Sequence, residues 1–312
     1  MISSHGDAAS QVRKGLVITT AGGLLYTLDL PLLRLAATDK WTMVCARGFL
    51  LFLSISALWY LMRRHNAPGT PYIAGWAGFA VVLTSTITNI TYVGAIVETN
   101  AANVVFIMAL IPVFTAFLQR IFIGEPVHPW TWRATAVSFF GVALIVGDSV
   151  GHGRLEGDLM AIAAAVSTAV AFTIIRASGK NVAASLAVGS LASALFALAF
   201  FDVTPGALLA PASFGVSAWV WIALNGMIAI PLASTLIANG PRFLPSADVS
   251  MFFLLETVLA PVWIWSLFAE KPSPAVFIGG VMVILTLIAH SWWRLRVTLR
   301  NTRALAAVNG LA

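Results

Sequence analysis

Residues 71–123 read PYIAGWAGFAVVLTSTITNITYVGAIVETNAANVVFIMALIPVFTAFLQRIFI, and this stretch decides the fold. A membrane-spanning helix needs about 20 mostly apolar residues. At a rise of about 1.5 Å per residue, the stretch is too long for one crossing and suits two crossings joined by a tight turn. The polar cluster Glu98-Thr99-Asn100 predicts the position of that turn.

Apolar stretches of this kind recur along the whole chain. Hydrophobic residues make up 59% of the sequence, the mean hydropathy is +0.91, and only 10% of residues are charged. Soluble domains carry about 25% charged residues. We therefore predict an all-α integral membrane protein without a sizeable soluble domain. Ten spans are predicted, near residues 15–33, 41–62, 72–92, 101–123, 131–147, 159–175, 183–201, 219–238, 246–268 and 276–293.

The basic residues orient these spans. With a cytoplasmic N-terminus, 13 of the 18 lysines and arginines fall on the cytoplasmic side. The opposite side receives Arg34, Lys40, Arg154 and Lys271, and Arg47 lies inside a span. Cytoplasmic loops of membrane proteins carry an excess of such residues, so the bias favours ten spans with both termini in the cytoplasm.

Composition also excludes several functions. The net charge of +6 does not indicate a nucleic-acid partner, because the basic residues sit in short clusters between apolar runs. The single cysteine, Cys45, excludes an intrachain disulfide and a cysteine cluster for metal. No nucleophile elbow, zinc-protease pair or phosphate loop is present, so we expect neither an enzyme nor a metal or cofactor site. The expected partners are the lipid bilayer and a small-molecule substrate.

A weak internal repeat divides the chain in two. At an offset of 142 residues Gly15 matches Gly157 and Arg34 matches Arg176, and at an offset of 145 Glu125 matches Glu270. Each half then holds five spans, and an odd number forces the second copy to enter from the opposite side. Inverted repeats are typical of secondary transporters with a site near the bilayer midplane. The predicted parts are an N-terminal tail at 1–14, repeats at 15–148 and 157–293, and a basic C-terminal tail at 294–312.

Two short runs resemble a known family. Residues 111–116 (IPVFTA) followed by 123–126 (IGEP) resemble the "P-V-F-x-A…L-G-E-P" signature of the EamA-type drug/metabolite transporter superfamily. Gly157-Asp158-Leu159 resembles the start of that family's second repeat. The second copy of the signature departs from the pattern, because Thr257 stands where proline is usual and Ala269 replaces the glycine before glutamate.

The resemblance implies a secondary transporter with two inverted five-helix repeats. Within the superfamily the chain looks most similar to bacterial exporters of aromatic amino acids and drugs. That similarity implies a multi-pass protein of the bacterial inner membrane, either a monomer or a weak homo-oligomer.

Polar residues within predicted spans are the candidate site residues, because a polar group in hydrocarbon is costly and usually functional. Asn89 and Tyr92 share one face of the third span, where packing through small hydroxyl residues is the alternative. Asn103 and Phe106 follow on the fourth span, and Phe252 lies on the ninth. Solvation near the water interface is the alternative for polar residues at span ends.

Proline positions mark further candidates. Tyr26 and Asp29 precede Pro31 in the first span, a pattern that suits a half-helix near a cavity. Asp29 alternatively pairs with Arg34 at the membrane surface. Candidate kinks are predicted at Pro112, Pro231 and Pro261.

Charged residues inside the spans have either a coupling or a structural role. Arg47 could dock a substrate carboxylate or brace the bundle through Asp29 or Asp39. Asp248 matches Asn103 in the repeat, and Glu256 lies deeper in the ninth span. Glu256 is a candidate proton carrier, with a hydrogen-bonded structural acid as the alternative.

The expected function is export of small amphiphilic metabolites, amino acids including aromatic ones, by alternating access. Transport of anionic metabolites such as sugar phosphates or nucleotide sugars is the alternative. Phosphate sites favour several Lys or Arg, and one intramembrane Arg argues against it. A membrane-embedded transferase or a scaffold is the third reading.

Topology can be tested by cysteine labelling in a Cys45→Ala background. His65→Cys and Arg300→Cys are expected to resist a membrane-impermeant thiol reagent in intact cells, because both positions are predicted to be cytoplasmic. Arg154→Cys, on the predicted outer side, is the positive control. Strong labelling of position 65 or 300 in intact cells would contradict the orientation.

Overall fold

The computed structural model describes residues 5–65, 71–99, 101–146, 155–268 and 274–308. These residues form helices joined by turns and loops, and an isolated bridge between Pro211 and Ser217 is the sole β-type pairing among them. The helices of the first half are α1 (His5–Tyr26), α2 (Asp29–Ala36), α3 (Lys40–His65), α4 (Gly75–Glu98), α5 (Ala101–Met108), α6 (Ile111–Leu118) and α7 (Pro129–Val146). Those of the second half are α8 (Leu155–Ser178), α9 (Ala183–Phe200), α10 (Pro205–Leu209), α11 (Ala218–Ala223), α12 (Ile230–Asn239), α13 (Ser246–Ser250), α14 (Leu254–Phe268) and α15 (Pro274–Val308).

Seven helical segments in the described ranges are long and apolar enough to cross a membrane, with a shorter apolar helix at Ala184–Phe200. The seven are Ser10–Ala36, Lys40–Met62, Gly75–Glu98, Asn103–Ile123, Leu155–Ser178, Ala218–Arg242 and Phe277–Val297. The predicted count of ten is therefore not confirmed. The described residues of the predicted spans at 131–147 and 246–268 are helical, residue 147 lying outside them, but neither span is among the seven. A 3₁₀ turn at Met251–Phe253 interrupts the second.

Three helix breaks precede prolines. The turn between α1 and α2 lies ahead of Pro31, α6 begins at Ile111-Pro112, and the π-helical turn Leu224–Ala229 ends immediately before Ile230-Pro231. Proline lacks an N–H and its ring clashes with the carbonyl four residues earlier, so each break falls within that distance. The predicted kinks at Pro112 and Pro231 correspond to two of these breaks.

Pro261 behaves differently. It lies inside the continuous helix α14, and the break in this segment is the 3₁₀ turn at Met251–Phe253. A 3₁₀ turn has about 3.0 residues per turn instead of 3.6, so it rotates the side chains that follow relative to an uninterrupted helix.

The contacts between helices follow the internal repeat, so exchanging the two halves leaves the same set of contacts. Counterparts are the helices at equivalent positions in the two halves. Helix α3 packs against its counterpart α9, and α7 packs against its counterpart α15. Helix α4 of the first half packs on α8, and the equivalent contact joins α12 of the second half to α1. A two-fold relation between the halves requires this set of pairings.

The contact between α3 and α9 depends on small residues. A Cβ atom added to Gly48 would lie 2.5 Å from the carbonyl oxygen of Ser190 and 2.9 Å from the Cβ of Ala194. The contact between α4 and α9 has the same requirement, because a Cβ added to Gly189 of α9 would collide with Ser85 of α4. Small residues allow helix backbones to approach closely, which is how helices associate in lipid.

Gly48→Val is expected to destabilise the protein by about 1–3 kcal/mol, because the added methyl groups meet backbone that cannot move away. Thermal melting of the purified protein in detergent measures this loss. Gly206→Val is the matched control, since no atom lies within 4 Å of a Cβ added there. Equal melting temperatures for the two variants would contradict the close approach.

Candidate functional site

Buried polar groups from several helices come together at the helix breaks. The break between α1 and α2 makes Asp29 the first residue of α2, and the π-helical turn carries Asn225. Arg47 reaches them from α3 and Asn89 from α4. Backbone irregularity at membrane depth is tolerated where it is buried in protein or lines a cavity.

Arg47 and Asp29 form a buried ion pair. The Nη2 atom of Arg47 donates to both carboxylate oxygens of Asp29, at 2.9 and 3.2 Å. The two side chains are only 5% and 2% exposed. Of the alternatives that the sequence left open, Asp29 therefore contacts Arg47 within the bundle.

Amide groups complete this network. The Nε and Nη1 atoms of Arg47 donate to the amide oxygens of Asn225 and Asn89, each at 3.0 Å. Asn225 donates to Asp29 at 2.7 Å, and Asn89 donates to the Ser190 hydroxyl at 3.1 Å. A buried charge pair is tolerated when further hydrogen bonds satisfy its remaining polar atoms, and this network provides them.

A second acid lies nearby on α14. The Tyr92 hydroxyl donates to Oε1 of Glu256 at 2.7 Å, and Glu256 is buried. Aromatic rings lie close to this pair. The centroid of the Phe253 ring is 4.9 Å from that of the Tyr26 ring and 5.6 Å from that of the Phe172 ring.

These groups line one cavity between the two halves of the molecule. Its volume is about 110 Å³, room for several waters or a small solute. Most of the wall is apolar, contributed by side chains such as Leu51, Met108, Ile175 and Ile237. A largely apolar cavity with a few convergent polar groups is the usual form of a small-molecule site.

Six of the residues singled out in the sequence line this cavity. They are Tyr26, Asp29, Arg47, Asn89, Tyr92 and Glu256. Ser190, Phe172 and Phe253 also line the cavity, and no pattern in the sequence marks them. Asn225 contacts Arg47 and Asp29 without lining the cavity and is likewise not among the predicted site residues. Asn225 could have been found, since it is an amide inside a predicted span.

Three other predicted lining residues lie elsewhere. Asn103 donates to the carboxylate of Asp158 at 3.0 Å, near the start of α8. Phe106 packs on the Phe139 ring at 5.2 Å. The Cβ of Phe252 lies against Gly23 of α1, and the neighbouring Phe253 reaches the cavity instead.

Asp248 belongs to a separate buried cluster. Arg294 lies 2.8 Å from one of its carboxylate oxygens, and His290 lies 3.5 Å from the other. Thr131 contacts both Asp248 and His290. This cluster joins α7, α13 and α15 and does not line the cavity.

Ion pairs connect helices at both ends of the bundle. At one end Lys40 pairs with Glu98 at 2.6 Å and approaches Glu156 at 3.8 Å. At the other end Arg176 pairs with Glu125 at 2.9 Å. Each end therefore has a charged contact that links the first half to the second.

Comparison with known proteins identifies the family. The model of the EamA-like transporter family matches residues 14–147 and again residues 155–292. The chain belongs to the EamA-like transporter family. The resemblance noted in the sequence is thus confirmed, and the two matches cover both halves of this EamA-like chain.

Two individual similarities agree with this family. The chain is 27% identical over 206 residues to an uncharacterized transporter of Synechocystis sp., sll1164, with 61% of this chain matched. The match spans 58% of that relative's length. A solved protein crystal structure superposes with a TM-score of 0.71 at 16% identity, over 88% of this chain and 95% of that one, which shows a shared fold.

The ion pair in this EamA-like protein can be tested by a double-mutant comparison. Arg47→Met is expected to destabilise the protein by about 3–5 kcal/mol, because it leaves the Asp29 carboxylate buried without a cation. Adding Asp29→Asn should restore part of that stability by removing the orphaned charge. Melting of both variants in detergent measures the difference; a double variant no more stable than Arg47→Met would contradict a coupled pair.

Proposed function

We propose that this chain is a secondary transporter that exports small amphiphilic metabolites, amino acids including aromatic ones, across the bacterial inner membrane. In this proposal the protein catalyses no chemical reaction. It crosses the membrane ten times, as two inverted five-span repeats, with both termini in the cytoplasm. The observation that carries it is the cavity, which is lined by aromatic and buried polar side chains from both halves of an EamA-like protein.

The position of the cavity suits loading from the cytoplasm. Helix α8 contributes residues of its second half, from Thr168 to Ile175, and α12 contributes residues along its whole length, from Ile230 to Ala238. In the proposed orientation both helices run towards the cytoplasm. An exporter collects its substrate on that side.

The proposed mechanism is alternating access by rocking of the two halves around the cavity. The charged contacts between the halves at the two ends, Lys40 with Glu156 and Arg176 with Glu125, then open and close in turn. No step requires ATP hydrolysis, since the sequence contains no phosphate-binding loop.

An anionic-metabolite transporter is the weaker alternative. Arg47 is the sole basic residue among those that line the cavity, and it is already engaged by Asp29. Phosphate groups are usually bound by several Lys or Arg side chains with free donors.

Transport by the purified protein in proteoliposomes tests this function. A panel of amino acids, presented without ATP, is expected to include solutes that the native protein moves. Asn89→Ala and Tyr92→Phe should each lower transport about tenfold, because each removes a hydrogen bond to a charged cavity group.

Thr91→Val on the same helix is the matched control, since the Thr91 hydroxyl donates to the carbonyl of Ile87 in its own helix. All variants should reach similar levels in the membrane. Native transport rates in both Asn89→Ala and Tyr92→Phe would contradict the cavity as the substrate site.

A further inference from the structure

The charges that line the cavity do not balance. Among the described lining residues, Asp29 and Glu256 carry carboxylates and Arg47 carries a basic group. Arg47 and Asp29 neutralise each other in the buried ion pair. In this described part of the wall, the Glu256 carboxylate is therefore not paired with a cation.

All three nitrogens of the Arg47 guanidinium already donate to protein groups. Nε donates to Asn225, Nη1 to Asn89, and Nη2 to both oxygens of Asp29. A substrate carboxylate at Arg47 would therefore compete with Asp29 and the two amides for these nitrogens.

Glu256 has unused accepting capacity. The Tyr92 hydroxyl donates to Oε1, while Oε2 has no hydrogen-bond partner among the residues that the structure describes. Glu256 is 5% exposed, and it lines the cavity. A buried carboxylate needs a hydrogen-bonding or positively charged partner, and a ligand in the cavity would supply one to Glu256.

Aromatic rings surround the same part of the cavity. Phe253 stands next to α14 in sequence, and its ring contacts those of Tyr26 and Phe172. All three rings line the cavity together with Glu256. A cation within about 6 Å of a ring centroid is attracted to the ring face, and the ring edges pack against an apolar body.

We propose that Glu256, held by Tyr92 and flanked by Tyr26, Phe172 and Phe253, is the binding site for a substrate ammonium group. The preferred substrates are small monocationic amines with an aromatic or branched apolar body. An amino acid binds through its ammonium group, and its carboxylate weakens binding because no free cation meets it. This assignment rests on the proposed transport function and names the substrate class of that site.

Three phenyl compounds of similar size separate the charge classes: 2-phenylethylamine, phenylalanine and 3-phenylpropionate. Isothermal titration calorimetry with the purified protein in detergent measures their affinities without passive permeation of the bilayer. The amine is expected to bind about tenfold more tightly than phenylalanine, with 3-phenylpropionate weakest, as a charge-assisted hydrogen bond to Glu256 predicts.

The Glu256→Gln variant should lose this preference for the amine, with at least a roughly tenfold weaker affinity. Asp202→Asn is the control, because it also removes one negative charge, from an exposed side chain that does not line the cavity. Melting temperatures verify that both variants fold. Unchanged amine affinity in Glu256→Gln, or tighter binding of phenylalanine than of the amine, would overturn the proposal.

Flux measurements in proteoliposomes distinguish a failure of the proposed ammonium site from a failure of the proposed transport function. If phenylalanine is transported although the amine binds no better than phenylalanine, the ammonium site is wrong and the transport function stands. If none of the three compounds binds and no amino acid moves, both proposals are wrong.

Discussion

The buried ion pair between Arg47 and Asp29 is the constraint on which the rest of the site depends. In hydrocarbon no water compensates an unsatisfied charge, so each polar atom of this pair needs a protein partner. Asn225 and Asn89 are positioned to supply those partners. The amides are thereby committed to the ion pair, and among the described lining residues Glu256 is the carboxylate outside that pair.

Helix breaks make this arrangement possible. Proline positions interrupt three segments, and two of the breaks deliver polar groups, Asp29 at the start of α2 and Asn225 in the π-helical turn. A continuous helix would direct its backbone groups along its own axis and would fix side chains at a constant rotation. Breaks free the side chains from that rotation, and the surrounding helices satisfy the backbone groups that are released.

The sequence predicts the helical membrane fold well because apolar length and charge bias depend on local composition. It also locates intramembrane polar residues, and Arg47, Asn89 and Glu256 line the cavity. It does not predict which residue beside a helix break faces the cavity. The sequence pattern favours Phe252 as a lining residue, whereas Phe253 lines the cavity in the structure. Hydrogen-bond partners distant in the chain are equally hidden, since nothing in the local pattern joins Asn103 to Asp158.

The scaffold is close to symmetric, whereas its chemistry is one-sided. At the repeat offset of 142 residues, Asp29 corresponds to Ala171 and Arg47 to Gly189, so the second half has small residues where the first half has the ion pair. Hydrogen bonds nevertheless cross between the halves at the cavity, from Arg47 to Asn225, Asn225 to Asp29, Asn89 to Ser190 and Tyr92 to Glu256. Breaking these buried bonds would leave polar atoms unsatisfied in hydrocarbon, whereas the charged contacts at the ends can be replaced by water. The proposed rocking of the halves is therefore least costly when the ends separate and the central contacts persist. The proposed ammonium site lies at that centre, with Tyr92 on one half and Glu256 on the other, so a bound cation would stay in contact with both halves during the proposed alternation of access.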